Sequence, residues 1–135
     1  MMKVDLAYEV VFGFEGPSLC LLGNESDFKS LAQGILSLTD SMSADVLNLK
    51  TLPDFKFEEN NIEVCFVAKT KSKCLGKITK EGVVIELDPR YWERLFMYFT
   101  MMSWDQQTHY LNSYESGLND LNLDQEINFI CSSEF

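Results

Sequence analysis

The sequence predicts an α+β fold: a single antiparallel sheet of about six or seven strands, with a meander in the middle and two helices packed on one face. Three observations predict it. Between residues 55 and 87, short apolar runs alternate with turn residues at hairpin spacing. Two other stretches repeat their apolar residues at three- and four-residue steps, the period of a helix face. The order strand-strand-helix, meander, helix, strand-strand then fits one sheet with the helices on one side. A chain of 135 residues predicts one domain spanning 1–135. At that size folding buries roughly 65–70% of the surface of the unfolded chain, so no covalent staples are needed.

The elements follow in order. Residues 4–14, VDLAYEVVFGF, read as a strand, Gly16-Pro17 as a turn, and SLCLL (18–22) as the returning strand of a hairpin. Asn24 or Ser26 can cap a helix, with Glu25 and Asp27 in the first turn where the helix dipole favours acids. Phe28, Leu31, Ala32, Ile35 and Leu38 then form its apolar face, weakened at Gly34 by about 1 kcal/mol relative to alanine. Val46, Leu47 and Leu49 suggest a short strand before Pro53. FKF, IEVCFVAK, CLGKIT and VVIELD form the expected antiparallel meander, separated by EENN, TKSK and KEG. Asp88-Pro89 is a helix start, with Asp as cap and Pro at the first position, and RYWERLFMYFTMMSW carries the helix over 89–103. THYLNSYE and INFICSS read as the last strands, on either side of SGLNDLNLD.

Charge limits the function classes. The net charge is −10, which repels phosphate backbones and anionic lipid and attracts basic partners. It is uneven. Residues 1–50 carry three Lys and seven acids, 51–90 seven basic and seven acidic residues, and 91–135 one Arg and seven acids. Lys69, Lys71, Lys73, Lys77 and Lys80 cluster in the neutral middle. No aromatic residue interleaves with them, so they read as guards of a strand edge and not as a nucleic-acid groove. The most apolar stretch, 95–102, is far short of the ~20 residues that cross a bilayer. Cys20, Cys65, Cys74 and Cys131 have no C-x-x-C spacing, and Asp5 and Glu9 interrupt the N-terminal MMKVDLAYEVV, unlike a signal peptide. Together these predict a cytoplasmic protein with reduced thiols, no membrane contact and no nucleic-acid partner.

Chemistry-bearing motifs are sparse. His109 is the only histidine, and acid–base work needs a partner for it: a nucleophile or an orienting carboxylate. The chain has no Gly-x-Ser-x-Gly elbow and no recognisable nucleophile context around a cysteine. Asp120, Asn122, Asp124 and Glu126 begin like a calcium loop. Gln125 then stands where the sharp turn needs glycine, and Cys131 where a bidentate Glu belongs. Gly13, Gly16 and Gly23 sit at hairpin positions, so a nucleotide cofactor has no phosphate cradle. No metal, no cofactor and no catalytic residue is expected.

The second helix is the unusual element, because aromatic and Met residues surround it. Leu95, Phe99 and Met102 face the sheet with Trp92 and Phe96 beside them, which leaves Met97, Tyr98 and Met101 on another flank. A helix that is apolar all round is buried all round. Either the first helix or a loop covers that flank, or a partner does.

The aromatic helix, "WDQQTHYLNSY" and "LNLDQEINFICSS" together resemble the end of several small bacterial α+β families, among them immunity proteins of polymorphic toxin systems. The matching positions are His109, Leu111, Leu123, Asp124, Ile127, Phe129 and Ile130, over about 30 residues. Tyr110 and Leu111 stand where such families often place a second histidine. The resemblance implies a binder that blocks a toxin. Acidity fits independently, because an acidic inhibitor is steered to a basic active site.

The expected function is therefore a non-enzymatic, acidic protein-binding module, with a basic, toxin-like protein as partner. Asp105, Glu115, Asp120, Asp124 and Glu126 are the candidates for steering, and Met97, Tyr98 and Met101 for contact. Three alternatives stay open. One is a small hydrolase that uses His109 with a cysteine. Another is a homodimer with a ligand cavity lined by Trp92 and Trp104. The third is a structural subunit of a larger assembly.

Overall fold

The computed structural model describes residues 1–8, 17–40, 45–53, 55–57, 62–104, 109–111 (backbone alone) and 127–132. Within them lie strands β1 (Met2–Ala7), β2 (Ser18–Leu22), β3 (Asp45–Asn48), β4 (Phe55–Phe57), β5 (Glu63–Ala68), β6 (Lys73–Ile78), β7 (Gly82–Leu87), β8 (His109–Leu111) and β9 (Asn128–Ser132). The helices are α1 (Glu25–Gly34) and α2 (Pro89–Met102), with short 3-10 turns at Ile35–Thr39 and Leu49–Thr51.

The protein is α+β, but its strands do not form a single antiparallel sheet. They form two mixed sheets, one five-stranded in the order β4-β1-β2-β9-β8 and one four-stranded in the order β3-β5-β7-β6. β1 and β2 pair antiparallel as expected, while β4 joins β1, and β9 joins β2, in parallel. The two helices do not simply cover one face of one sheet. They pack on each other and share a hydrophobic core with the inner faces of both sheets.

The expected meander keeps only its β6–β7 pair: β4 lies in the other sheet beside β1, and β5 and β6 are separated for a physical reason. β5 does not pair with β6, because β7 lies between them, parallel to β5 and antiparallel to β6. The centre of a sheet suits strands with a continuous buried face. Val64, Phe66 and Ala68 of β5 and Val83, Ile85 and Leu87 of β7 supply one. β6 carries exposed Lys73 and Lys77 and a register shift between Cys74 and Lys77, features of an edge. Two glycines allow the close packing. A Cβ on Gly82 would collide with the Glu63 backbone carbonyl, and one on Gly76 (φ 120°) with the Ile127 side chain, so β6 lies against the start of β9.

α1 starts at a capping box. The Asn24 side chain accepts from the Asp27 N–H at 2.9 Å, and the Asp27 carboxylate accepts from the Asn24 N–H at 2.9 Å. The apolar face predicted for this segment is buried throughout: Phe28, Leu31, Ala32, Ile35 and Leu38. Phe66 then joins three elements. Its ring centroid lies 5.0 Å from that of Trp92 in α2 and 6.3 Å from that of Phe129 in β9.

Candidate functional site

α2 begins at Asp88, whose carboxylate accepts from the Arg90 N–H at 3.0 Å, with Pro89 in the first turn where its missing N–H costs nothing. The same carboxylate accepts from the Lys71 N–H at 2.9 Å and lies 3.3 Å from the Arg90 Nε. The Asp88 N–H in turn donates to the Ser72 carbonyl at 2.9 Å. One buried residue thus holds both the helix start and the turn between β5 and β6, where Lys71 adopts φ 69°. Burial alone would raise the Asp88 pKa. The hydrogen bonds from Lys71 and Arg90 outweigh that, and the net shift is downward.

The helix has two different flanks. Trp92, Leu95, Phe99 and Met102 are buried, and the Trp92 indole N–H donates to the Val67 carbonyl at 2.8 Å. Tyr91 and Tyr98 are buried as well, the Tyr98 ring centroid 6.1 Å from that of Phe99. The other flank follows the 4-3-4-3 spacing of residues 90, 94, 97, 101 and 104. Its first half is polar and exposed, with Arg90, Glu93 and Arg94. Its second half is apolar: Met97 is 66% exposed, Met101 is half-buried, and Trp104, just past the helix, is 69% exposed.

The contact trio is therefore split. Met97 and Met101 lie on the open flank, and Tyr98 lies in the core. Trp104 belongs with the first two, and its signal was available, since it continues their spacing by three residues. Within one chain, Trp92 and Trp104 do not line a common cavity. Trp92 is fully buried under Phe66, whereas Trp104 is in water. The five steering acids, Asp105, Glu115, Asp120, Asp124 and Glu126, lie outside the described residues, as does the D-x-N-x-D-x-E stretch.

His109 is in β8 with Cys131 of β9 as its Cα partner, so the pairing selects which cysteine stands opposite the histidine. Burial pushes the Cys131 thiol well above 9, with a smaller contribution from Cys20, so it is protonated at neutral pH. Burial, aided by the Asp5 carboxylate, pushes the Cys20 thiol up to about 11. All four cysteines are free thiols. Among the described residues no group of three His, Cys, Asp or Glu side chains could hold a metal ion, and no helix is long and apolar enough to cross a membrane.

The outer face of the four-stranded sheet is the second open region. Cys65, Val67, Val84 and Glu86 are half-buried there, and Val46 is 61% exposed at the edge. A shallow hollow of about 420 Å³ lies at that edge, between Asp45, Val46, Val67, Ala68 and Lys69.

Compared with known proteins, the chain matches no protein-family model, no curated protein and no solved structure.

Proposed function

We propose that this protein is a non-enzymatic binding module that docks a basic protein through the open flank of α2. The observation that carries the reading is the exposure of Met97 and Trp104, at 66% and 69%, on one line with Met101. Covering a large apolar side chain contributes about 1.5–3 kcal/mol, and Trp is the residue type most often found at the energetic centre of an interface. Charge argues for the sign of the partner. No Lys or Arg follows Arg94, while six acids do, on a chain of net charge −10. The resemblance of the C-terminal third to immunity proteins supports a more specific version, in which the partner is a toxin with a basic active site.

The test is affinity capture from the native host, with the wild type beside a Met97→Ser/Trp104→Ser variant of equal thermal stability. A basic protein held by the wild type in a salt-sensitive way, and lost by the variant, is the expected result. Equal retention by both, or an acidic partner, would overturn the reading. The rival, a His109–Cys131 hydrolase, has the strand pairing in its favour and the buried, protonated thiol against it. A turnover that disappears on His109→Ala with the circular dichroism spectrum unchanged would establish that rival instead.

A further inference from the structure

We infer that the turn between β5 and β6, together with the start of α2, is a second docking surface, one that takes an acidic, extended segment of a partner protein. Four cations meet there: Lys69, Lys71, Lys73 and Arg90. All are exposed, in a part of the chain that is described without a break from 62 to 104.

The backbone fixes their placement. Residues 69–72 form a turn closed by the Ser72 N–H, which donates to the Lys69 carbonyl at 3.0 Å. The Lys69 N–H donates to the Leu87 carbonyl at 3.0 Å, and Lys73 is the Cα partner of Leu87 from the other side of β7. Lys69 and Lys73 therefore flank the end of β7, about 10 Å apart by two strand spacings. At the same end, the two oxygens of the Asp88 carboxylate accept from the Lys71 N–H at 2.9 Å and from the Arg90 Nε at 3.3 Å. Among the described residues, Arg90 with Asp88 is the one ion pair that these four cations make. Glu86, the next carboxylate along β7, accepts from the Ser72 hydroxyl at 2.9 Å.

The turn has a feature that the fold does not require. Its third residue, Lys71, adopts φ 69°, a conformation that suits Gly or Asn and strains a lysine. What the lysine adds is an ammonium group at the tip. Edge protection explains Lys73 and Lys77, which lie on β6. It does not explain Lys69 and Lys71, which lie on the turn and guard no ladder.

The spacing and the charge define the occupant. One carboxylate cannot reach from Lys69 to Lys73. An extended segment rises about 3.3 Å per residue, so acids spread over three or four residues can. Nucleic acid fits less well, because no aromatic residue stands between these lysines for bases to stack on, and the net charge of −10 repels a polyanion. The patch lies at the start of α2, whereas Met97, Met101 and Trp104 lie toward its end. This docking therefore goes beyond the reading above and does not depend on it.

The test is fluorescence anisotropy at low salt with a fluorescein-labelled peptide of alternating Glu and Ser. Its Gln-for-Glu version and labelled decathymidylate serve as comparisons. The wild type should bind the acidic peptide saturably and the Gln version far more weakly. Lys69→Gln/Lys71→Gln/Lys73→Gln should weaken the acidic peptide at least about tenfold. Lys29→Gln/Lys56→Gln/Lys80→Gln has the same net charge and should stay within about twofold of the wild type. All six lysines are exposed, so both variants should keep the wild-type melting temperature, which is measured alongside. Lys71→Gly should weaken the peptide about threefold while its melting temperature stays equal or rises, since glycine relieves the strain. No saturable binding, equal losses in the two triple variants, or decathymidylate held as tightly as the peptide would each overturn the proposal. So would a Lys71→Gly protein that melts lower and binds as well as before, because the lysine would then serve the turn alone. Loss of the peptide in the Met97→Ser/Trp104→Ser variant would also overturn it, by placing the peptide at the other end of α2. The α2 reading stands or falls separately, on protein capture.

Discussion

Trp92 and Trp104 belong to one continuous segment and mark two opposite surroundings. Trp92 is sealed between α2 and the four-stranded sheet, with its ring on Phe66 and its N–H bonded to Val67, while Trp104 is 69% exposed. The first half of the open flank is polar, but its second half carries the residue types of the buried one, Met and Trp. In that half, composition does not decide which side is core. Phase along the helix does, together with what packs beside it. α1 and the turn Ile35–Thr39 both lie against α2, and Tyr98 is buried while Met97 is not. The inference that the apolar residues of α2 are buried on every side holds at Tyr91, Trp92, Leu95, Tyr98, Phe99 and Met102 and fails at Met97.

That contrast can be broken by substitution. Trp92→Ala should have the largest effect, about 3–5 kcal/mol of stability in urea denaturation, because it opens a cavity beside Phe66 and strands the Val67 carbonyl. A loss under about 1 kcal/mol would mean that this flank is not core. Next comes Asp88→Ala, which removes a helix cap and the bond to Lys71 together and should cost about 1–2 kcal/mol. Since the folded pKa of Asp88 is depressed, its contribution is present above the unfolded value of about 3.9 and is lost as the pH falls through the folded one. Asp88→Asn should therefore flatten part of the acid limb of the stability curve, and an unchanged limb would contradict the assignment. Smallest of all, Met97→Ser/Trp104→Ser should change stability by no more than about 0.5 kcal/mol. A much larger loss would show that the open flank is covered, and the contrast would collapse.

Local signals in the sequence carried most of the elements. Asn24, the Asp88-Pro89 pair and the α1 face from Phe28 to Leu38 were readable because caps and helical period act within a few residues. Pairing was not readable in the same way. TKSK looks like a hairpin turn, yet β7 takes the place beside β5. A period of two tells which residues share a face, and it does not tell which sheet the strand joins. The lysines of β6 did hold a clue, since an edge tolerates them better than a centre does. For the site, Met97 and Met101 were picked out by spacing. Tyr98 was grouped with them because nothing in the sequence shows where α1 comes to rest.

The order β3-β5-β7-β6 has a consequence for synthesis on the ribosome. A nascent chain that has emerged as far as Lys80 already holds β5 and β6, but not the strand that separates them. Any ladder those two strands zip together at that moment is a kinetic trap, which Gly82–Leu87 has to displace. The Asp88 clamp on the Lys71 turn belongs to the exchanged arrangement, because it ties the residue that follows β7 to the turn that joins β5 and β6.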